Sequence, residues 1–413
     1  MQGHIRRRGK GGSFEYIIDI GEAQAQRCGD CGRRLWVERQ PLSACPRCGG
    51  RLERGAERRR QTKAGFATRK EAQAAMNKVL AAVAERSFVA PTKVTLERFL
   101  TDEWLPAIES TVRLTTYRSY VQHVKWHIAP HLGEVALSSL SGAQINGLYA
   151  TLASRGRRGG EAGLSPQTVR HVHAVLHRAL RDAVRWGLIG RNPIDSADPP
   201  RPSSSRELHT WNPEQLEAFL AFTASDRLHA LWQLLALTGM RRGEACGLRW
   251  CDCDLEQGRI AICRALVPVA RTVLVTEPKT ARGRRSIALD ERTVAELQTH
   301  AERQVAERES AKSWTETGLV FAGKDGRALP PNSVSRCFVR AVKQANLPQI
   351  RLHDLRHSHA TLALRAGIHP KVVSERLGHA TVAITLDTYS HAIPALEEAA
   401  ASRIAGLVFA SRR

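Results

Sequence analysis

Residues 377 to 391 read L-G-H-A-T-V-A-I-T-L-D-T-Y-S-H, and Tyr389 takes its meaning from what precedes it in the chain. T-G-M-R-R-G-E (238 to 244), E-P-K-T (277 to 280) and R-L-H-D-L-R-H-S (351 to 358) come before it in that order. Together these stretches supply a phenol, arginines, a lysine and histidines. That set of groups can cut a phosphodiester bond covalently without a metal. One such stretch would be weak evidence. Four in a fixed order, in the C-terminal half of a strongly basic chain, are strong.

Each residue type suits one part of that chemistry. A free phenol has a pKa of about 10, so tyrosine attacks phosphorus only where cations help its proton leave. Arginine binds two phosphate oxygens at once through its planar fork and keeps its charge, which marks Arg241 and Arg356. Such donors contribute most where charge develops on the pentavalent transition state. Lys279 lies where two strands would meet and can protonate the departing sugar oxygen. His353 stands one helical turn before Arg356, on the same side. His379 follows Gly378 at a helix junction. Each residue also has a blander reading: Tyr389 as a core tyrosine, Lys279 as a turn lysine, Glu244 as a solvated helix residue. The context favours catalysis for the first two, and for Glu244 a buried position that orients Arg241. His357, His359 and His391 read as supporting or surface residues, and Asp354 as structural.

A chain of 413 residues has room for two or three domains with real cores. Its formal net charge of +22, mostly from arginine, points to a polyanionic partner, and nucleic acid is the default. Residues 1 to 90 hold nineteen Lys and Arg against nine Asp and Glu, the densest excess for its size. No run approaches the ~18 apolar residues that a membrane helix needs, and no apolar stretch follows the basic N-terminus. The expectation is a cytosolic protein of the bacterial nucleoid, with no membrane partner.

The nine cysteines are an odd number for a disulfide framework. Four of them form two C-x-x-C pairs, Cys28 with Cys31 and Cys45 with Cys48, each pair followed by glycine. Four thiolates at tetrahedral geometry close a structural zinc site and leave no open position for catalysis. The gap of thirteen residues between the pairs is slightly short for a ribbon, but a small one fits. Two disulfides or idle thiols are the alternatives.

Phe14, Tyr16, Ile18 and Ile20 alternate after a glycine turn and predict a strand, with a returning strand over 58–66. A helix follows from Thr68, with Glu71 completing a capping box. From Thr95 the chain reads as helical, with Tyr117, Tyr120, Val124 and Ile128 at helical spacing and Pro166 opening a long helix. D-P-P-R-P-S-S-S (198 to 205) is a linker by composition. Strand candidates at 259–263, 272–276 and 284–289 suggest one small antiparallel sheet, and helices dominate after Asn332.

The C-terminal half resembles the tyrosine recombinases of the phage integrase type. T-G-M-R-R-G-E-A-C-G-L-R-W looks like their first-arginine motif, with Arg241 in its place after T-G-x. P-K-T-A-R-G-R-R-S-I-A-L is similar to their lysine hairpin, giving Lys279. L-H-D-L-R-H-S-H-A-T resembles their histidine–arginine helix, giving His353 and Arg356, and the opening stretch matches their closing motif, giving His379 and Tyr389. S-P-Q-T-V-R-H-V-H-A-V-L-H-R-A-L-R-D-A-V-R-W resembles the end of the family's helical core-site-binding domain. F-E-Y-I-I-D-I through A-G-F-A-T-R-K-E-A resembles its small arm-binding module. The cysteine ribbon departs from the pattern, inserted within that module's sheet.

The resemblance implies a mainly α fold with small β-sheets, an α+β protein. Its expected parts are an arm-DNA-binding-like module over 1–90 with a zinc ribbon at about 28–48, a helical core-site DNA-binding domain over 91–198, a linker over 199–206, and a mixed catalytic domain over 207–413. An amphipathic stretch at 396–409 would form a helix that docks on a neighbouring protomer. The implied activity is site-specific recombination through a 3′-phosphotyrosine, integrating or excising a phage or other mobile element. One phosphoester replaces another, so neither ATP nor a catalytic metal is needed. The implied partners are double-stranded attachment sites, three further copies of the chain in a tetramer, and accessory DNA-bending or directionality proteins. The rivals are a dimer-resolving recombinase, a type IB topoisomerase, and a non-cleaving DNA-binding regulator on the same scaffold.

Overall fold

The computed structural model describes residues 3–9, 12–36, 42–84, 93–157, 162–201, 209–269, 272–277, 283–389, 404–405 and 408–409. The chain divides into two units, Met1–Ser204 and Ser205–Arg413.

The first unit opens with an antiparallel sheet of β1 (Gly3–Arg7), β2 (Phe14–Cys28), β3 (Arg34–Trp36) and β4 (Leu52–Phe66), in which β2 pairs with the other three. Strand alternation puts Tyr16 and Ile18 on one face, where they pack with Met76 of the helix Arg69–Ala84. The capping box forms: the Glu71 amide donates to Thr68 Oγ1 at 3.2 Å, and Glu71 Oε2 accepts from the Thr68 amide at 3.4 Å. β1 was not foreseen. Its residues, G-H-I-R-R, lack the apolar alternation of a strand, and its pairing of Ile5 with Tyr16 supplies the order instead.

β2 and β4 continue well past that small core. Their register shifts between Asp19 and Glu22, and pairing then resumes from Glu22 opposite Arg58 to Cys28 opposite Leu52. Such a bulge bends a hairpin without ending it. The cysteine pairs therefore sit at the far tip of one long hairpin.

The rest of this unit is helical. Leu96–Arg98, Phe99–Trp104 and Leu105–Ile108 follow one another directly, as do Leu114–His123, Val124–Ile128 and Ala129–Leu132. Gly142–Arg155 and Pro166–Arg185 pack on them around Phe99, Trp104, Val124, Ile128, Leu148, Val172 and Leu176. The buried indole of Trp104 donates to Asp182 Oδ2 at 2.9 Å, which satisfies two polar groups in an apolar core.

The second unit is built on the helices Pro213–Phe222, His229–Thr238, Arg242–Cys246, Glu291–Ser310, Pro331–Gln344, Asp354–Arg365, Pro370–Leu377 and Val382–Tyr389. Trp211, Phe219, Trp232 and Phe338 form an aromatic cluster at its centre, with ring centroids 5.1 to 5.9 Å apart. The three expected strands do not form one sheet. β6 (Arg259–Ile262) lies between β5 (Cys253–Asp254) and β9 (Arg285–Ala288), whereas β8 (Thr272–Thr276) pairs with β7 (Ala265–Val269). The sequence hid β7 because Pro268, which lacks an amide donor, interrupts its pattern; the strand has one partner, as such a proline requires. The overall class, helical with small antiparallel sheets, is the one expected. Among the described residues no helix is long and apolar enough to cross a membrane.

Candidate active site

The 229–238 helix ends at Gly239, whose φ of +64° is a conformation that favours glycine. A side chain there would also collide with Leu377 and His359. The reversal delivers Arg241 to the start of the 242–246 helix. Arg241 Nη1 donates to Glu244 Oε1 at 2.8 Å, its amide donates to Oε2 at 3.0 Å, and its Nη2 donates to the carbonyl of Gly378 at 3.0 Å. Glu244 is only 5% exposed. Burial alone would raise the pKa of its carboxyl, but hydrogen bonds and charge from Arg285 and Arg241 outweigh that and lower it.

Arg285 comes from β9. Its Nη2 and Nη1 reach Glu244 at 2.9 and 3.2 Å, and its Nε donates to the carbonyl of Arg376 at 2.7 Å. Glu244 is thus shared between a guanidinium facing the site and one buried behind it.

Arg356 stands on the first turn of the 354–365 helix and is 3% exposed. Its Nη1 donates to the carbonyl of Gly239 at 2.7 Å. Its Nη2 is buried with no protein partner. Burial, and then repulsion from Arg241, lowers the guanidinium to about 9, so it remains a cation at neutral pH. His353 precedes this helix and keeps an exposed edge; desolvation by the surrounding protein, with His357 and Arg356 nearby, lowers it to about 4.

His379 follows Gly378, which has φ +68° and closes the 370–377 helix. Its Nδ1 lies 2.8 Å from Thr385 Oγ1, and burial together with Arg356 and Arg241 lowers it to about 4. Tyr389, at the end of the 382–389 helix, is 1% exposed, and burial raises its phenol to about 12 while Arg356 pulls the other way. Its Oη lies 2.8 Å from His357 Nδ1.

Five of the six expected residues therefore share one electrostatic environment. Arg356 feels Arg241 and Tyr389, His379 feels both arginines, and His353 feels Arg356 and Arg241. At neutral pH this is a pair of cations among neutral histidines and a neutral phenol, a receptor for one anionic group. Lys279 lies outside the described residues, as does His391.

One partner, Arg285, escaped the sequence reading, and a second, His357, was placed only as supporting or surface. Arg285 had one faint signal: it precedes the buried Ile287 by two residues in a strand, so both share a face. His357, read as a supporting or surface residue, touches the phenol. Its signal was its place four residues after His353 on one helix face.

The cysteines form a separate cluster in the first unit. Gly32 and Gly49, with φ of +64° and +76°, let each knuckle curl back, so that their amides donate to the carbonyls of Cys28 and Cys45. One ligand sulfur from each of Cys28, Cys31, Cys45 and Cys48 lies within 4.8 Å of the others, a group able to hold a metal ion. The Arg47 amide contributes most to lowering the Cys45 thiol, to about 6.

Fold and site together define an enzyme that works on a phosphodiester. Residues 210–395 match the phage integrase family, and residues 95–153 match the N-terminal SAM-like domain of phage integrases. An integrase attributed to prophage phiRv2 of Mycobacterium tuberculosis is 30% identical over 271 residues, which cover 64% of this chain and 67% of that one. The fold is that of the integrase of transposon Tn1549 in complex with a circular intermediate DNA, with TM-score 0.64 and 23% identity over 75% of this chain and 99% of that one. It also follows lambda integrase in a tetramer bound to a Holliday junction, with TM-score 0.55 and 17% identity over 93% of this chain and 94% of that one. The chain belongs to the phage integrase family: it is a tyrosine recombinase, a site-specific DNA strand transferase.

Proposed function

We propose that this recombinase integrates or excises a phage or other mobile element, with Tyr389 as the nucleophile. Tyr389 attacks the scissile phosphate, leaving a 3′-phosphotyrosine and a free 5′-hydroxyl. Arg241, Arg356 and His379 bind the non-bridging oxygens. Lys279 protonates the leaving oxygen, and His353 holds the phosphate or assists proton traffic. The 5′-hydroxyl of a partner duplex then attacks the linkage, so bond energy is conserved and no ATP is consumed.

The observation that carries this reading is the buried, unpartnered Nη2 of Arg356, close to Arg241 and Tyr389. A buried donor without a partner costs free energy and is satisfied when an oxyanion binds it. The likeness to a transposon integrase and a prophage integrase supports the mobile-element assignment.

The parts take their proposed roles in chain order. Residues 1–90 grip arm-type DNA, 91–198 grip the core site, 199–206 link, and 207–413 cut and rejoin. The working form is a tetramer on two duplexes in the bacterial cytosol, with the 396–409 segment docking between protomers and accessory DNA-bending proteins setting direction. Cys28, Cys31, Cys45 and Cys48 hold one structural zinc. The 3.4 and 3.7 Å sulfur separations suit this, being near the ~3.8 Å edge of a tetrahedron built on ~2.3 Å zinc–thiolate bonds.

Trapping on a suicide DNA substrate, nicked near the crossover of the element's attachment site, tests the central claim. A slow-migrating protein–DNA adduct on a denaturing gel is expected with the natural chain. Tight binding without any adduct would move the assignment to a non-cleaving DNA-binding regulator.

A further inference from the structure

The phenol of Tyr389 cannot attack as it stands. It is buried, and burial raises its pKa to about 12, above the ordinary ~10. Cations that bind phosphate favour the phenolate but do not accept the proton. A proton acceptor must lie within hydrogen-bond reach of Oη, at about 2.6 to 3.2 Å.

Four histidines in the described residues crowd this site, and their geometry separates them. The Nδ1 of His379 is engaged with Thr385 Oγ1 at 2.8 Å, which leaves its other nitrogen for the phosphate. His359 is packed where Gly239 and Leu377 meet, with Nε2 buried and unpartnered. His353 packs edge-on against His357, with ring centroids 5.2 Å apart at 88°. His357 lies 2.8 Å from Tyr389 Oη through Nδ1. Its ring is half-buried, so the acceptor is sheltered without being sealed.

We propose that His357 is the general base of strand cleavage, taking the phenolic proton of Tyr389 through its Nδ1 as Oη attacks phosphorus. This rests on the reading of Tyr389 as the nucleophile. His357 enters as the neutral imidazole with its proton on Nε2 and a free lone pair on Nδ1. The Oη–P bond forms, the bond from phosphorus to the 5′-oxygen breaks, and the phenolic proton moves to Nδ1. The leaving oxygen takes its proton from the acid on the other side of the phosphate. In rejoining, the incoming 5′-hydroxyl returns that proton, and the His357 imidazolium reprotonates Oη as the phosphotyrosine bond breaks. Each group recovers its starting state, and no further reactant is needed.

The charges around the ring suit a base that must be neutral at rest and cationic in the intermediate. Burial lowers its pKa, as do Arg356 on its own helix and Arg351 just before it, whereas the carboxylate of Asp354 raises it. His353 abuts it, and from other elements Tyr389 and His379 face it. Asp354 is held by Arg351 through bonds of 2.7 to 3.2 Å and gives the imidazolium a fixed negative neighbour.

The test is single-turnover cleavage of the suicide substrate at saturating DNA, from roughly pH 6 to roughly pH 9, by the natural full-length chain, His357→Ala and His357→Gln. DNA affinity measured in parallel reports folding, and the glutamine variant carries the test if the alanine variant does not bind. Cleavage at neutral pH should fall by about 10²- to 10⁴-fold in both variants, with affinity kept. The natural chain should lose rate as pH falls and reach a plateau above the pKa of His357. The variants should have no such plateau, and their deficit should shrink toward high pH as phenolate forms unaided. Added imidazole should partly restore His357→Ala. Variants that cleave at the natural rate with the natural profile would overturn the proposal. So would faster cleavage, which would make the hydrogen bond a restraint, or an equal slowing at every pH, which would make it structural. If the natural chain itself forms no adduct, the failure belongs to the recombinase reading of Tyr389 and not to His357.

Discussion

Arg285 and Glu244 meet through two parallel hydrogen bonds, Nη2 to Oε2 at 2.9 Å and Nη1 to Oε1 at 3.2 Å, with side-chain exposures of 7% and 5%. The same carboxylate holds Arg241. Removing Arg285 would leave a buried carboxylate with half its partners and would free the carbonyl of Arg376. Arg285→Ala should cost about 3 kcal/mol of stability, the usual penalty for breaking a buried pair, and should slow strand cleavage more than it weakens DNA binding. Denaturant unfolding and adduct formation would report these. A loss below about 1 kcal/mol would mean the pair does not brace Arg241.

Arg356 presents an unpartnered buried donor, so the site should welcome a small oxyanion. Sulfate or vanadate should raise the melting temperature of the full chain by preferential binding to the folded state. Arg356→Ala should abolish that rise and slow cleavage by about 10²- to 10³-fold. Equal thermal shifts in both proteins would count against an anion site at Arg356.

Tyr389→Phe removes the nucleophile and the partner of His357 Nδ1 while keeping the ring. The covalent adduct should disappear, and affinity for the attachment site should stay within about threefold, under ~1 kcal/mol. An adduct that survives would assign the attack to another residue.

His353, His359 and His379 are all lowered to about 4 in the fold, against ~6.5 free. The unfolded chain then binds more protons between those values, so stability rises with pH across that window. Acidification from about pH 6.5 to about pH 4 should progressively lower the melting temperature, and His359→Gln should flatten the slope. A midpoint that stays constant over the range would contradict these shifts.

Cys28→Ser, or a strong chelator, should release about one zinc per chain by metal analysis. The tip of the hairpin should then exchange its amide protons faster than the sheet below the bulge at Asp19 and Glu22. A natural chain without metal would remove the zinc assignment.

The fold class and the reaction class were legible in the sequence, because phosphate chemistry demands rare groups that arrive with their own backbone signals, such as the glycines before Arg241 and His379. What was hidden depends on pairing across distance. Pro268 masked β7, so the strand candidates fell into two sheets and not one. The bond between His357 and Tyr389 joins residues 32 apart, and that between Arg285 and Glu244 joins residues 41 apart. No periodicity encodes such meetings. The 15-residue span of β2 was also invisible, because G-E-A-Q-A-Q-R is too polar to advertise a strand.

That span turns the first sheet into a measuring stick. Beyond the bulge, six rises of ~3.4 Å carry the chain from Glu22 to Cys28, setting the cysteine cluster about 20 Å past the bulge. Deleting two residues from each strand would retract the tip by about 7 Å and keep every side chain on its original face. Reach in this protein is thus an adjustable dimension, editable in pairs of residues without rethreading the sheet.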